Sequence, residues 1–351
     1  MKPVWGLLGH HDRRRVDVHL FSDAPRSILA GRRVAIDRVQ FHDISRSDNT
    51  RAARLIARNR IDILVDLNGY SKRSRLPLWV SKPAPVLVAW FNVFATSGMR
   101  CFDAIIGDEW VIPRNEERWY VERVVRLPIS CLTFEVPSNA PALQQPPCMR
   151  NGFVTFGSLA SLYKLNALTI AAWAEVLRRC PGSRLVLGNA LLGEDGNRSH
   201  LTARFRELGI GAERLTLLGP APHRDFLKYY DLIDLALDPF PYSGGTTTME
   251  ALWQGVPVLT SGGDRWIART TASILMNAGL GRFVNADVAA YVDQAVGWGT
   301  SATVAGRLSA LRTTMRSRLK RSPVCDCAKF ARCMEDAYRG LWQSALARQT
   351  T

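Results

Sequence analysis

Short apolar runs, each closing on glycine, serine, threonine or proline and followed by a helical pattern, alternate along almost the whole chain. That alternation limits the fold more than any other feature. A strand–loop–helix series buries its apolar strands in a parallel sheet covered by helices. In the first part "RVDVHLFS" and "RVQFHDIS" read as strands, "NTRAARLIARNR" as a helix and "IDILVDLNG" as a buried strand. A helical "RSRLPLWVS" follows, then strands "PVLVAWFN", "FDAIIGDE" and "ERVVRLP". Here the alternation stops. The stretch from Cys131 to Arg150 holds Pro137, Pro141, Pro146 and Pro147 and has no periodicity, the pattern of a linker. It restarts at "GFVTFGS" and runs through "NALTIAAWAEVLRRC", "SRLVLGN", "SHLTARFRELGI", "ERLTLLG", "HRDFLKYYDL", "IDLALDPF", "TTTMEALWQG" and "VPVLTSG". Two helices follow, "RWIARTTASILMNAGL" and "ADVAAYVDQAVGWG", and after Ser322 the chain is helical again. The expected layout is a first α/β domain over residues 1–147, a second over 148–321 and a helical segment over 322–351. A chain of 351 residues is too long for one ordinary core and fits two.

Composition closes several other routes. Hydrophobic residues make up 47% and charged residues 22%, a globular balance. No apolar run approaches the roughly 20 residues of a membrane helix, so no membrane partner is expected. The N-terminal "MKPVWGLLGHHDRRR" has no small-residue cleavage site and is read as no signal peptide. Seven scattered cysteines argue against a disulfide framework and for a reducing, cytoplasmic setting. Cys325, Cys327 and Cys333 lack paired C-x2-C spacing and no histidine follows them, so no metal is expected. The formal net charge of +15 is spread along the chain, without an RNP-type or helix-turn-helix signature. It reads as an arginine-rich solvated surface, with no nucleic-acid partner.

In parallel sheets of this kind ligands sit at the carboxyl ends of strands, and there the chain places its small and polar residues. After "IDLALD", Pro239 and Pro241 stiffen an exit. Gly244 and Gly245 allow close backbone approach, Thr246, Thr247 and Thr248 open a helix, and Glu250 sits one turn in. Free N–H groups and hydroxyls at a helix start suit a phosphate, and the carboxylate suits ribose hydroxyls. A tight turn with threonines as caps suits the same residues, and both readings stand. In "FGSLASLYKLN", Ser158, Ser161 and Lys164 follow a strand; the lysine is either a diphosphate partner or a surface charge. In "LLGPAPHRDF" a proline loop, Ala221 and Pro222, leads to His223 and Phe226. This is either a base-reading loop or a stiffened turn with Phe226 in the core. In the first domain "DLNGYSKRSR" and "WFNVFATSGMR" follow strands, and Thr96, Ser97 and Gly98 read as a polar rim.

Taken in this order, the segments resemble the protein O-GlcNAc transferases and their relative Spindly, inverting glycosyltransferases of the GT-B architecture. The resemblance runs from about Arg15 to Ala345. It rests on "IDILVDLNGY", "PAPVLVAW", "TSG", "FGSLASLYKLN", "VLGNALL", "LLGPAP", "DLALDPFPYSGGTTTMEALWQGVPVLT" and "ARTTASILMNAGL". It implies an α/β GT-B fold, two Rossmann-like domains facing a cleft, with a UDP-sugar donor bound mainly by the second. Ser161 and Lys164 match the family's loop at the donor diphosphate, and Lys164 is the catalytic candidate, neutralising the departing diphosphate. Ala221, Pro222 and His223 match the loop on uracil, Phe226 a stacking position beside it. Gly245, Thr246 and Thr247 match the tripeptide on the diphosphate, and Glu250 the acid on the ribose. Thr96, Ser97 and Gly98 fall on the acceptor side.

The implied reaction moves N-acetylglucosamine from UDP-GlcNAc to serine or threonine hydroxyls of a protein acceptor with inversion, without a metal or other cofactor. The donor phosphate itself helps take the hydroxyl proton. This chain departs from the family pattern in four ways. The strand and histidine-bearing loop that open the region in the family would precede "LLGHHDRRR", while His10 and His11 lie in a helical pattern. The first domain is therefore expected to be incomplete, lacking its first strand. The family's "GYPGTSG" stretch is Asn92 to Gly98 here. His223 stands where lysine or arginine is common. The helical repeats that present protein substrates are absent from the sequence given. A truncated inactive homologue that binds a sugar nucleotide, and a transferase using another donor such as GDP-fucose, are the alternatives. The last helix is expected to pack back across the cleft.

Overall fold

The computed structural model describes residues 4–25, 39–72, 74–137 and 139–349. The chain divides into two compact units: one gathers the chain up to Glu135 and again from Asp326 onward, the other holds Val136–Cys325.

In the first unit four parallel strands lie in chain order: β3 (Ile63–Asp66), β4 (Val86–Ala89), β5 (Ala104–Asp108) and β6 (Arg123–Leu127). A separate parallel pair is formed by β1 (His19–Ser22) and β2 (Gln40–Asp43), with His19 opposite Gln40. β4 and β5 are buried at every residue, as continuous apolar runs require. The helix Cys327–Gln349 belongs to this unit. Phe330, Met334, Leu341 and Ala345 fall on one face at helical spacing and join Val86, Val88, Trp90 and Leu7 in a single core. The Trp90 and Phe330 rings lie 5.8 Å apart. On the same helix the buried carboxylate of Glu335 accepts from the Asp12 N–H at 2.9 Å and from Arg332 at 2.6 Å, and pairs with His11 at 3.0 Å. Burial lowers the pKa of His11 against the pull of that carboxylate. His11 is thus an anchor for the terminal helix.

The second unit holds a six-stranded parallel sheet of order β12-β11-β10-β7-β8-β9. Its strands are β7 (Thr155–Ser158), β8 (Arg184–Gly188), β9 (Leu215–Leu218), β10 (Leu235–Leu237), β11 (Val258–Ser261) and β12 (Val284–Asn285). The chain starts in the middle at β7, winds outward to β9, then returns to β10 beside β7 and winds the other way. The reversal puts a topological switch point between the carboxyl ends of β7 and β10, where ligands of doubly wound sheets bind.

The linker read over Cys131 to Arg150, with the first domain expected to end at residue 147, is divided differently. From Val136 onward it is held by the second unit, through the helix Val304–Lys320, which the apolar periodicity did not reveal. Arg316 donates to Pro141 O at 2.6 Å and to Gln254 Oε1 at 2.7 Å. Arg312, only 3% exposed, donates to Ile233 O at 2.6 Å and to Gln144 O at 3.3 Å. Part of the arginine charge read as solvated surface is therefore spent on backbone carbonyls, by Arg312 in the interior and by the half-buried Arg316. Among the described residues no helix is long and apolar enough to cross a membrane.

Candidate active site

The site grows from the exit of β10. Asp238 is buried, and its carboxylate accepts from the Gly244 N–H at 2.7 Å through one oxygen and from the Thr260 hydroxyl at 2.7 Å through the other. Burial raises its pKa to about 6 against those hydrogen bonds. The loop between Asp238 and Gly244 is braced from below. Asn166 Nδ2 and Thr169 Oγ1 each donate to Phe240 O at 2.7 Å, and Tyr291 OH donates to Asp238 O at 3.3 Å. From the helix Trp266–Asn277, Thr271 donates to Gly244 O at 3.2 Å and shares a 2.9 Å bond with Thr248. Gly244 is required by this packing: a Cβ there would meet Thr248 Oγ1 at 2.4 Å and Asp238 Oδ1 at 3.0 Å.

The next residues differ. Gly245 is the N-cap of the helix Thr246–Trp253 and, being glycine, supplies no side-chain cap; Thr248 is turned to Thr271. The threonines therefore do not cap this helix, which removes the capped-turn reading. Thr246 is exposed and Thr247 half-buried at the helix start. A Cβ on Gly245 would have Thr270 Cγ2 as its nearest neighbour at 3.7 Å, and the buried Thr270 hydroxyl has no hydrogen-bond partner. The first turn thus offers N–H groups and hydroxyls without a side-chain cap.

Lys164 comes to this turn from β7. It ends the short 3-10 turn Leu162–Lys164, with Ser161 half-buried just before it. Its ammonium donates to Ser243 O at 2.7 Å and lies 3.9 Å from the centre of the Tyr242 ring. Burial lowers its pKa to about 8, the Asp238 charge opposing. It is therefore no free surface lysine but a largely desolvated cation joining the β7 and β10 loops. Ser158, Ala160, Asp238, Thr247, Thr248 and Tyr230 line a small depression at the same place.

The loop after β9 closes the group. Ala221 is half-buried and Pro222 exposed; His223 opens the helix His223–Lys228. His223 Nε2 lies 2.8 Å from Glu250 Oε1, pairing an imidazole that is 64% exposed with a carboxylate that is 7% exposed. Phe226 is half-buried with its ring 5.5 Å from that of Tyr229, so it is neither a core residue nor fully free. Tyr230 OH donates to Thr247 O at 2.9 Å. Ser161, Lys164, Ala221 to His223 and Gly245 to Thr247 thus stand on loops or helix starts after strands of one sheet, with Phe226 and Glu250 one turn into the helices that follow.

In the first unit Thr96, Ser97 and Gly98 are placed differently from the expected polar rim. Glu122, buried, accepts from Thr96 Oγ1 at 2.8 Å, from the Ser97 N–H at 2.6 Å and from the Ser97 hydroxyl. Tyr70 OH donates to Ser97 O. Both hydroxyls hold the loop to the start of β6, and only Gly98 of the three is exposed. Among the described residues no group of three or more His, Cys, Asp or Glu is arranged to hold a metal ion.

The family model described as glycosyl transferase family 41 matches residues 4–137 and 142–334. The chain belongs to glycosyl transferase family 41. Family 41 relatives include the probable UDP-N-acetylglucosamine–peptide N-acetylglucosaminyltransferase SPINDLY of Solanum lycopersicum, 33% identical over 342 residues, covering 96% of this chain and 36% of that protein. The protein of the same description from Oryza sativa subsp. japonica is 34% identical over 343 residues, again 96% and 36%. Among solved structures, a mutant of the Thermobaculum terrenum O-GlcNAc transferase superposes with a TM-score of 0.91 at 34% identity, covering 99% of this chain and 65% of that one. The parallel α/β fold is that of the GT-B glycosyltransferases. The chain spans about a third of the length of the curated relatives it matches.

For this family 41 member, residue-type reasoning reached the loop tips and missed what holds them. Nothing in residue type alone marks Thr260, Thr270, Thr271, Tyr242 or Glu122. The aspartate after an apolar run and before a proline was the one usable signal, since a carboxylate there must find donors in the next turn.

Proposed function

We propose that the chain transfers N-acetylglucosamine from UDP-GlcNAc to serine or threonine hydroxyls of a protein acceptor, with inversion. The observation that carries this is the half-buried Lys164 ammonium, held on Ser243 O just before the uncapped helix start Gly245–Thr247, at the switch point. A cation and helix N–H groups converging on one spot suit a diphosphate. The descriptions of the SPINDLY relatives and of the Thermobaculum protein support the choice of donor and acceptor.

In this reading Ser161, Lys164 and Gly245–Thr247 hold the diphosphate and Glu250 the ribose hydroxyls; Ala221 to His223 and Phe226 hold the uracil. The acceptor oxygen attacks the anomeric carbon from the face opposite the leaving group. The bond from that carbon to the diphosphate oxygen breaks, and UDP leaves with both electrons. The acceptor proton passes to a phosphate oxygen. Lys164 and the helix N–H groups are already aimed where negative charge grows, so the transition state gains more than the ground state. The role of this chain's residues is charge stabilisation and positioning, with no metal required.

The test is transfer from UDP-GlcNAc, UDP-glucose and GDP-fucose to a protein acceptor, run beside calorimetry with UDP. Transfer from UDP-GlcNAc, and its loss by about a hundredfold or more in Lys164→Ala, is the expected result. UDP binding without transfer from any donor overturns the enzymatic reading, and transfer from GDP-fucose alone overturns the choice of donor.

A further inference from the structure

The contact between His223 and Glu250 joins the two loops assigned above to the base and to the ribose. Glu250 is a nearly enclosed carboxylate in the helix Thr246–Trp253, and His223 reaches it from the first residue of another helix. The backbone carrying the imidazole is itself fixed: the Asp225 and Phe226 N–H groups both donate to Pro222 O at 2.9 Å. The 3-10 turn that follows, Tyr229–Leu232, is already fastened to the helix Thr246–Trp253 by the bond from Tyr230 OH to Thr247 O at 2.9 Å. A pair with one partner largely in water contributes little to stability. What such a pair does is fix the torsions of the buried partner. A carboxylate is acceptor-only and takes two vicinal hydroxyls when its plane is held. A changed pairing alters the plane in which it meets them, and selection for a hydroxyl follows that geometry.

We infer that His223 is a positioning residue that sets the ribose selectivity of the nucleotide site by holding the Glu250 carboxylate. The inference rests on the reading of Glu250 as the ribose acceptor. The ligand class it specifies is a ribonucleoside diphosphate, favoured over its 2′-deoxy counterpart. It also makes the base loop and the ribose acceptor one mechanical unit: a base that displaces His223 disturbs the ribose contact too.

The experiment compares UDP and 2′-deoxy-UDP by calorimetry on the full chain, as wild type, Glu250→Gln, His223→Ala and His223→Lys. Wild type should prefer UDP by about tenfold or more, the worth of one hydrogen bond to a charged acceptor. Glu250→Gln should erase most of the preference. His223→Ala should weaken UDP several-fold more than 2′-deoxy-UDP, so the preference collapses whatever both lose at the shared uracil. His223→Lys keeps a donor at the same place and should restore much of it. A merely structural role would weaken both nucleotides alike, and that result overturns the inference. So does a preference that survives His223→Ala while Glu250→Gln removes it, with the ribose reading intact. A preference untouched by Glu250→Gln, or wild type binding neither nucleotide, overturns the ribose reading itself.

Discussion

Replacing Lys164 by methionine should stabilise the unliganded protein and abolish its response to UDP. The ordinary lysine value is 10.5, and burial brings Lys164 to about 8. At about 1.36 kcal/mol per pH unit, that gap puts the cost of holding the charged form at neutral pH near 3 kcal/mol, an upper figure because the side chain keeps some contact with water. Methionine fills similar space without the charge and forfeits the bond to Ser243 O, an offset of about 1–2 kcal/mol. The net expected gain at about pH 7 is roughly 1–2 kcal/mol.

The pH dependence carries the sharper test. Between about 8 and 10.5 the unfolded chain holds the lysine proton and the folded protein does not, so wild-type stability rises with pH across that window. Below about 8 the penalty is present in full. The advantage of Lys164→Met should therefore shrink by about 2 kcal/mol from about pH 7 to about pH 9.5. Urea unfolding of both proteins at the two pH values measures it, with UDP added as a further arm. UDP should raise the midpoint of wild type and leave that of the variant nearly unmoved. Equal differences at both pH values, or a variant less stable than wild type at neutral pH, would refute the claim that Lys164 is held there as a desolvated cation.

Two further changes separate the roles of neighbouring residues. Gly244→Ala should cost about 1–3 kcal/mol by overpacking against Thr248 and Asp238, seen as a lowered unfolding midpoint. Gly245→Ala has room and should alter stability by less than about 1 kcal/mol while reducing UDP affinity, because its added carbon stands at the uncapped turn. In the first unit Glu122→Gln removes an acceptor from Thr96 and Ser97. It should cost about 1–2 kcal/mol and reduce transfer to a protein acceptor several-fold with UDP affinity unchanged. A matching loss of UDP affinity would place the Thr96–Gly98 loop in donor binding instead.

The amino-acid sequence alone determined the class of fold. Runs such as "PVLVAWFN" and "IDLALDPF" are short and apolar, as strands buried on both faces are, and their alternation with helical patterns points to parallel α/β layers. Its motif words carried the family, and the rule that loops at strand ends bind ligands marked Lys164, Gly245, Thr247 and Glu250 as candidates. What tertiary structure decided is which of those loops meet. Periodicity reports how each residue faces its own element, whereas the order of strands in a sheet is set by packing between elements far apart in the chain. The switch point exists only because β10 returns beside β7. The same limit hid the buried partners. Thr96 and Ser97 look like a free polar rim until Glu122, twenty-six and twenty-five positions on, takes both hydroxyls. Arg316 looks like surface charge until Pro141 O, 175 positions back, receives it. A buried donor must find an acceptor wherever the fold brings one, and that pairing is fixed only when the chain has folded.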